Sequence, residues 1–130
     1  MQTSNDSPSG IPRPLGPYSP AVQAGPFIYL SGQTPVDPST GELLKGSVAE
    51  QTVQVLTNLE AVLRSVGASM SAVVKTTVLL RDMADFAEMN AAYAAYLGET
   101  RPARSTVAVA GLPLDARVEI EAVAYVPPAP

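Results

Sequence analysis

Arg117-Val-Glu-Ile-Glu-Ala-Val-Ala-Tyr-Val126 decides the fold. Val118, Ile120, Ala122, Ala124 and Val126 point to one side of a strand, and Arg117, Glu119, Glu121, Val123 and Tyr125 to the other. The first set is small and apolar and suits packing beneath helices. The second is mixed, suited neither to bulk water nor to the core of a monomer. Upstream, Ser47-Val-Ala-Glu50 reads as a capping box. Val48, Thr52, Val55, Leu56, Leu59, Val62, Leu63 and Val66 then recur at helical spacing, and Gly67 supplies a left-handed end. The spacing predicts a helix over 48–66.

Residues 72–81 are continuous and β-branched, which predicts a central strand buried on both faces. Asp82 opens a second helix whose stripe is Phe86, Met89, Tyr93, Tyr96 and Leu97, with Gly98 at its end; both tyrosines read as core. Strands are expected at 27–31, stopped by Gly32, and at 104–110; residues 33–41 read as a loop, 111–115 as a turn. The order gives an α+β domain, a mixed β-sheet with two helices on one face. Residues 1–14, rich in Ser, Pro and Gly, read as a flexible N-terminal lead, 15–126 as a single domain, and 127–130 as a Pro-rich tail.

The chain has 130 residues, no cysteine, no histidine and no tryptophan, and a net charge of −4. Disulfides, thiol nucleophiles, Cys zinc sites and imidazole bases are excluded. The acids are not clustered for metal binding, so no metal site is expected. Charged residues are 15%, against about 25% in an average globular protein, so the surface is short of charge, which favours a partner on the second sheet face. The acidic balance argues against nucleic-acid binding. No basic, apolar leader and no apolar run of about 18 residues is visible, so no membrane is expected and the cytoplasm is the expected location.

Arg104 opens a strand and shares a face with Thr106 and Ala108. It is either a solvated strand-end cation or a bidentate clamp for a carboxylate or phosphate, with Arg101 as competitor. Glu119 and Glu121 are either a solvated stripe balanced by Arg117 or the source of a carboxylate that orients water, the likeliest base left without histidine. Tyr18 is a packed turn aromatic or a rim whose hydroxyl donates to a ligand. Ser31 and Gly32 are a strand end or offer a hydroxyl and a close backbone approach. Asn90 is exposed or bonds across a subunit contact.

Six segments combine into a resemblance: Gly16-Pro-Tyr-Ser-Pro20, Leu30-Ser-Gly-Gln-Thr-Pro-Val-Asp-Pro-Ser-Thr-Gly-Glu42, Val74-Lys-Thr-Thr-Val78, Asp85-Phe-Ala-Glu-Met-Asn90, Arg101-Pro-Ala-Arg-Ser-Thr106 and Val118-Glu-Ile-Glu-Ala122. In matching order they resemble the RidA family, also called YjgF or endoribonuclease L-PSP-like. The resemblance implies a chorismate-mutase-like fold and a homotrimer whose sheets form a central barrel, with clefts between subunits. It implies a cofactor-independent reactive enamine/imine deaminase that hydrolyses 2-iminopropanoate, the tautomer of 2-aminoacrylate, to pyruvate and ammonia. By motif, Arg104 resembles the arginine that binds the substrate carboxylate and Glu119 the glutamate that holds the attacking water. Tyr18, Ser31 and Gly32 resemble cleft-lining positions, and Asn90 the subunit contact. Thr106 stands at a substrate-contacting position where many members carry cysteine; the contact there is commonly a backbone carbonyl. Two other roles are open: a non-catalytic sensor of small carboxylates, and the RNA cleavage or translation inhibition ascribed to some members.

Overall fold

Strand alternation, helix caps and glycine stops assemble into a single five-stranded sheet covered on one side. A computed structural model describes residues 10–128. In chain order the elements are β1 (Ala21–Ala24), β2 (Phe27–Gln33), β3 (Val36–Asp37), β4 (Glu42–Leu43), α1 (Val48–Ser65), β5 (Val73–Leu80), α2 (Phe86–Leu97), β6 (Ala103–Ala108) and β7 (Val118–Tyr125). The sheet runs β1-β2-β7-β5-β6. β5 and β6 are parallel and the other neighbours antiparallel, so the sheet is mixed as expected. β7 is central, and α1 packs on β2, β7 and α2.

α1 begins where its local chemistry dictates. The Glu50 amide donates to Ser47 Oγ (3.1 Å) and the Ser47 amide to Glu50 Oε1 (2.9 Å). The Ser47 amide and then the Ser47 hydroxyl, both donating to Glu50 Oε1, hold that carboxyl below the usual range. Gly67 turns the chain away at φ +81°, a conformation that penalises other residues. The α1 stripe from Val48 to Leu63 is buried, as are Val118, Ile120, Ala122 and Ala124 of β7. Asp82 caps a 3-10 turn, Met83–Asp85, by accepting from the Ala84 amide (2.9 Å), and the α-helix proper starts at Phe86. Tyr93 is buried as expected, whereas Tyr96 is half-buried and donates to Glu60; burial and that carboxylate push its hydroxyl up to about 12.

Four expectations are corrected. β5 is not covered on both faces: Val73, Thr76, Val78 and Leu80 are buried, but Val74 is 45% exposed. A continuous apolar run does not distinguish a strand covered twice within its own chain from one whose second face is left bare. Gly32 does not stop β2, which continues to Gln33 through an irregularity in its pairing with β7. Glycine inside a strand marks such a bulge. The segment 33–41 is not all loop, because β3 pairs with β4 around a turn in which Asp37 Oδ1 accepts from the Ser39 amide (2.9 Å). In the expected lead, residues 1–9 lie outside the described residues, but Ile11 is 4% exposed and joins the core. One isoleucine between glycine and proline is enough to anchor that stretch.

Candidate functional site

The β7 alternation that buries Ile120 turns Glu119 to the uncovered face of the sheet. There it lies half-buried against the Gly32 backbone. A Cβ at Gly32 would sit 2.2 Å from Glu119 Oε2, so the close approach needs glycine. Burial, and then the charge of Glu121, push the Glu119 carboxyl above its ordinary range. Ser31 ties this strand to the preceding loop: its amide donates to Pro20 O (3.0 Å) and its hydroxyl to Ser19 O (2.7 Å). That loop presents Tyr18, 45% exposed, whose hydroxyl oxygen accepts from the Leu15 amide (3.1 Å). Tyr18, Ser31, Gly32 and Glu119 line one cavity of about 380 Å³. Glu121 lines it too, and so do Arg13, Leu15, Thr34 and Val36, which were not singled out from sequence. Their only signal was adjacency to the Gly-Pro-Tyr turn and to Gly32.

Arg104 lies elsewhere. Its Cζ is 4.8 Å from the centroid of the Tyr93 ring and 5.7 Å from that of Phe86, both on α2. With Asn90 it lines a second cavity of about 280 Å³. Arg101, its competitor, donates to Gly98 O and to Thr100 O (3.0 Å) and so caps the end of α2. Thr106 Oγ1 is buried and has no hydrogen-bond partner among the described residues. Arg117 does not balance the two glutamates; it pairs with Asp85 at 2.9 Å. Its side chain leaves the strand end toward the turn that precedes α2, where an acid is closer to hand.

Register shows that these two groups of residues face opposite ways. Arg104 is level with Thr76, and Thr76 with Ala122; side chains level across a sheet share a face. Thr76 and Ala122 are buried beneath the helices, so Arg104 and Thr106 belong to the helix side. Glu119, level with Leu79, belongs to the other. One chain therefore does not bring Arg104 and Glu119 into a common cavity. The bare face also carries Val22, Phe27, Tyr29, Val107 and Tyr125, all well exposed, with the Phe27 and Tyr125 rings in edge contact at 5.3 Å. No helix among the described residues is long and apolar enough to cross a membrane.

The sequence model of the family described as Endoribonuclease L-PSP matches residues 9–126. The chain is similar to a RutC family protein of Pyrococcus horikoshii, 54% identical over 88% of this chain and 90% of that one. It is similar to the mouse protein named 2-iminobutanoate/2-iminopropanoate deaminase, 48% identical over 91% of this chain and 87% of that one. Among solved structures it is similar to the YjgF gene product of E. coli, with a TM-score of 0.84, 44% identity, and coverage of 89% of this chain and 93% of that one.

Proposed function

Since the chain belongs to the endoribonuclease L-PSP family, the YjgF/RidA family, we propose that it is an imine deaminase. It hydrolyses 2-iminopropanoate and 2-iminobutanoate to the 2-ketoacid and ammonia, in the cytoplasm and without a cofactor. Its sites lie between copies of the chain in a homotrimer. The name of the mouse relative supports the reaction class. The observation that carries the reading is the split of the chemistry between two faces: an arginine without an acid partner among the described residues on the helix side, and a half-buried carboxylate on the bare side. Apposing the bare face of one copy to the β6 edge of the next closes the cavity of Tyr18, Ser31, Gly32 and Glu119 with Arg104, Thr106 and Asn90 of its neighbour. The exposed apolar side chains of that face support such an apposition.

Imine hydrolysis is intrinsically facile, so the site chiefly positions and stabilises charge. The Arg104 fork pairs with the substrate carboxylate and holds it in ground and transition state alike. Glu119, as carboxylate, accepts a hydrogen bond from water and aims it at C2. Attack gives a carbinolamine; a proton passes to its nitrogen through water or Glu119, the C–N bond breaks, and the ketone and ammonia form. Each imine consumes one water. The Tyr18 hydroxyl, whose oxygen accepts from the Leu15 amide, donates to substrate at the rim, and Thr106 offers its backbone carbonyl. A net charge of −4 offers no support for an RNA-directed role.

The test generates the imine in situ with an amino-acid oxidase and follows ammonia release. The expected outcome is acceleration by the protein, lost in Arg104→Ala, since truncating one partner of a buried charge pair costs about 2–5 kcal/mol. Undiminished turnover in Arg104→Ala puts the clamp elsewhere.

A further inference from the structure

Five of the described arginines are held in place in different ways. Arg64, Arg81 and Arg117 each pair with an acid, and Arg101 with backbone carbonyls. For Arg104 the contacts are aromatic: the Tyr93 face at 4.8 Å and the Phe86 face at 5.7 Å. A carboxylate partner occupies the N–H donors of a guanidinium and competes with any incoming anion. A ring face attracts the cation through its quadrupole and leaves the N–H edges free.

The Tyr93 ring is itself fixed. Its hydroxyl and Thr76 Oγ1 share a 2.7 Å hydrogen bond, and the two residues are 6% and 2% exposed. Thr76 is also the β5 residue level with Arg104 on β6. A triangle results: backbone register joins Thr76 to Arg104, a buried hydrogen bond joins Thr76 to Tyr93, and the ring face joins Tyr93 to the guanidinium. Losing the hydroxyl of either Thr76 or Tyr93 strands the other in the core and frees the ring to tilt.

We propose that Tyr93 and Thr76 are positioning residues for Arg104: the pinned ring holds the guanidinium by its face, so that its donor edge stays unspent and aimed at a carboxylate. The proposal rests on the reading of Arg104 as the clamp and adds to it the device that keeps the clamp open. Tyr93 touches no reacting atom. Its effect passes through Arg104 to ground-state and transition-state binding alike, which predicts a change in KM with little change in kcat.

The experiment compares Tyr93→Leu, Tyr93→Phe, Thr76→Val and Thr76→Ser with the parent and with Arg104→Ala, each as assembled protein, on 2-iminopropanoate generated in situ. Tyr93→Leu is expected to raise KM about tenfold, the scale of a partly desolvated cation–π contact, with kcat within about threefold. Tyr93→Phe and Thr76→Val give smaller rises of the same kind, and Thr76→Ser restores the parent KM. The Arg104 Nε–H proton resonance, shifted by the ring current, moves toward its free value in Tyr93→Leu. Should Tyr93→Leu not fold, Tyr93→Phe and Thr76→Val carry the comparison. An unchanged KM in all of these variants, or a fall in kcat alone, overturns the proposal. If Arg104→Ala itself keeps the parent KM, the clamp reading has failed; if Arg104→Ala loses turnover while Tyr93→Leu does not change KM, only the positioning device has.

Discussion

Gly32 and Glu119 are matched at the scale of single atoms. A methyl at position 32 collides with the Glu119 carboxylate, the far end of a flexible side chain, and not with backbone. Gly32→Ala is therefore expected to keep its melting temperature within a few degrees, because the glutamate rotates away, and to lose most of its deaminase turnover. Equal activity in Gly32→Ala and the parent removes Glu119 from the reaction. Glu121 acts on the same carboxylate through space. Like charge disfavours ionisation, so Glu121 adds to burial in raising the Glu119 carboxyl. In its proposed role Glu119 works as the ionised carboxylate that takes up a proton from water, so activity is expected to fall as pH drops through its raised value. Glu121→Gln lowers that value, and the acid limb of kcat/KM shifts to lower pH. A shift to higher pH, or none, contradicts the assignment.

At the scale of elements, α1 does more than cover the sheet. Asn58, fully buried on α1, donates to Thr34 O (3.1 Å) and Val36 O (2.9 Å) and accepts from Gln54 Nε2 (2.9 Å). Thr34 and Val36 line the Glu119 cavity, so one amide fixes a wall of the site from behind. Asn58→Leu removes both of these bonds, although Thr34 O keeps the Val36 amide (2.8 Å), and is expected to cost about 1–3 kcal/mol, read as a lower midpoint in thermal unfolding; an unchanged midpoint contradicts it. Asn58 sits among apolar stripe residues and was not picked out from the sequence, because the two carbonyls it serves lie more than twenty residues away. α1 itself was legible because Ser47, Glu50 and Gly67 act locally. The β3–β4 hairpin was not: its two-residue strands sit among prolines and serines that signal a loop. Likewise, parity along β6 and β7 told which residues share a face within each strand. Whether Arg104 and Glu119 face the same way depends on the register across β5, which no local pattern encodes. Tyr93 read as core, and it is; a tyrosine on a buried stripe needs a partner for its hydroxyl, and that need was the available hint of Thr76.

For the whole molecule, the proposed ring of copies accounts for the bare sheet face, the low charge and the divided site. A chain with only 15% charged residues leaves valines, tyrosines and a phenylalanine exposed on one side of its sheet, and the same side holds half of the proposed chemistry. Were the chain monomeric, Arg104 and Glu119 would have no common substrate. In a closed ring of copies, each Arg104 serves the Glu119 of a neighbour. Light scattering should report a trimer. The decisive measurement is complementation between Arg104→Ala and Glu119→Gln chains, co-expressed or refolded together, with mixed oligomers verified by native mass spectrometry. Each variant alone should be inactive. Random assortment around a ring restores intact sites at about one interface in four, so the mixture should recover about a quarter of the parent turnover. Mixed oligomers no more active than the separate variants would contradict a site built from Arg104 of one copy and Glu119 of the next.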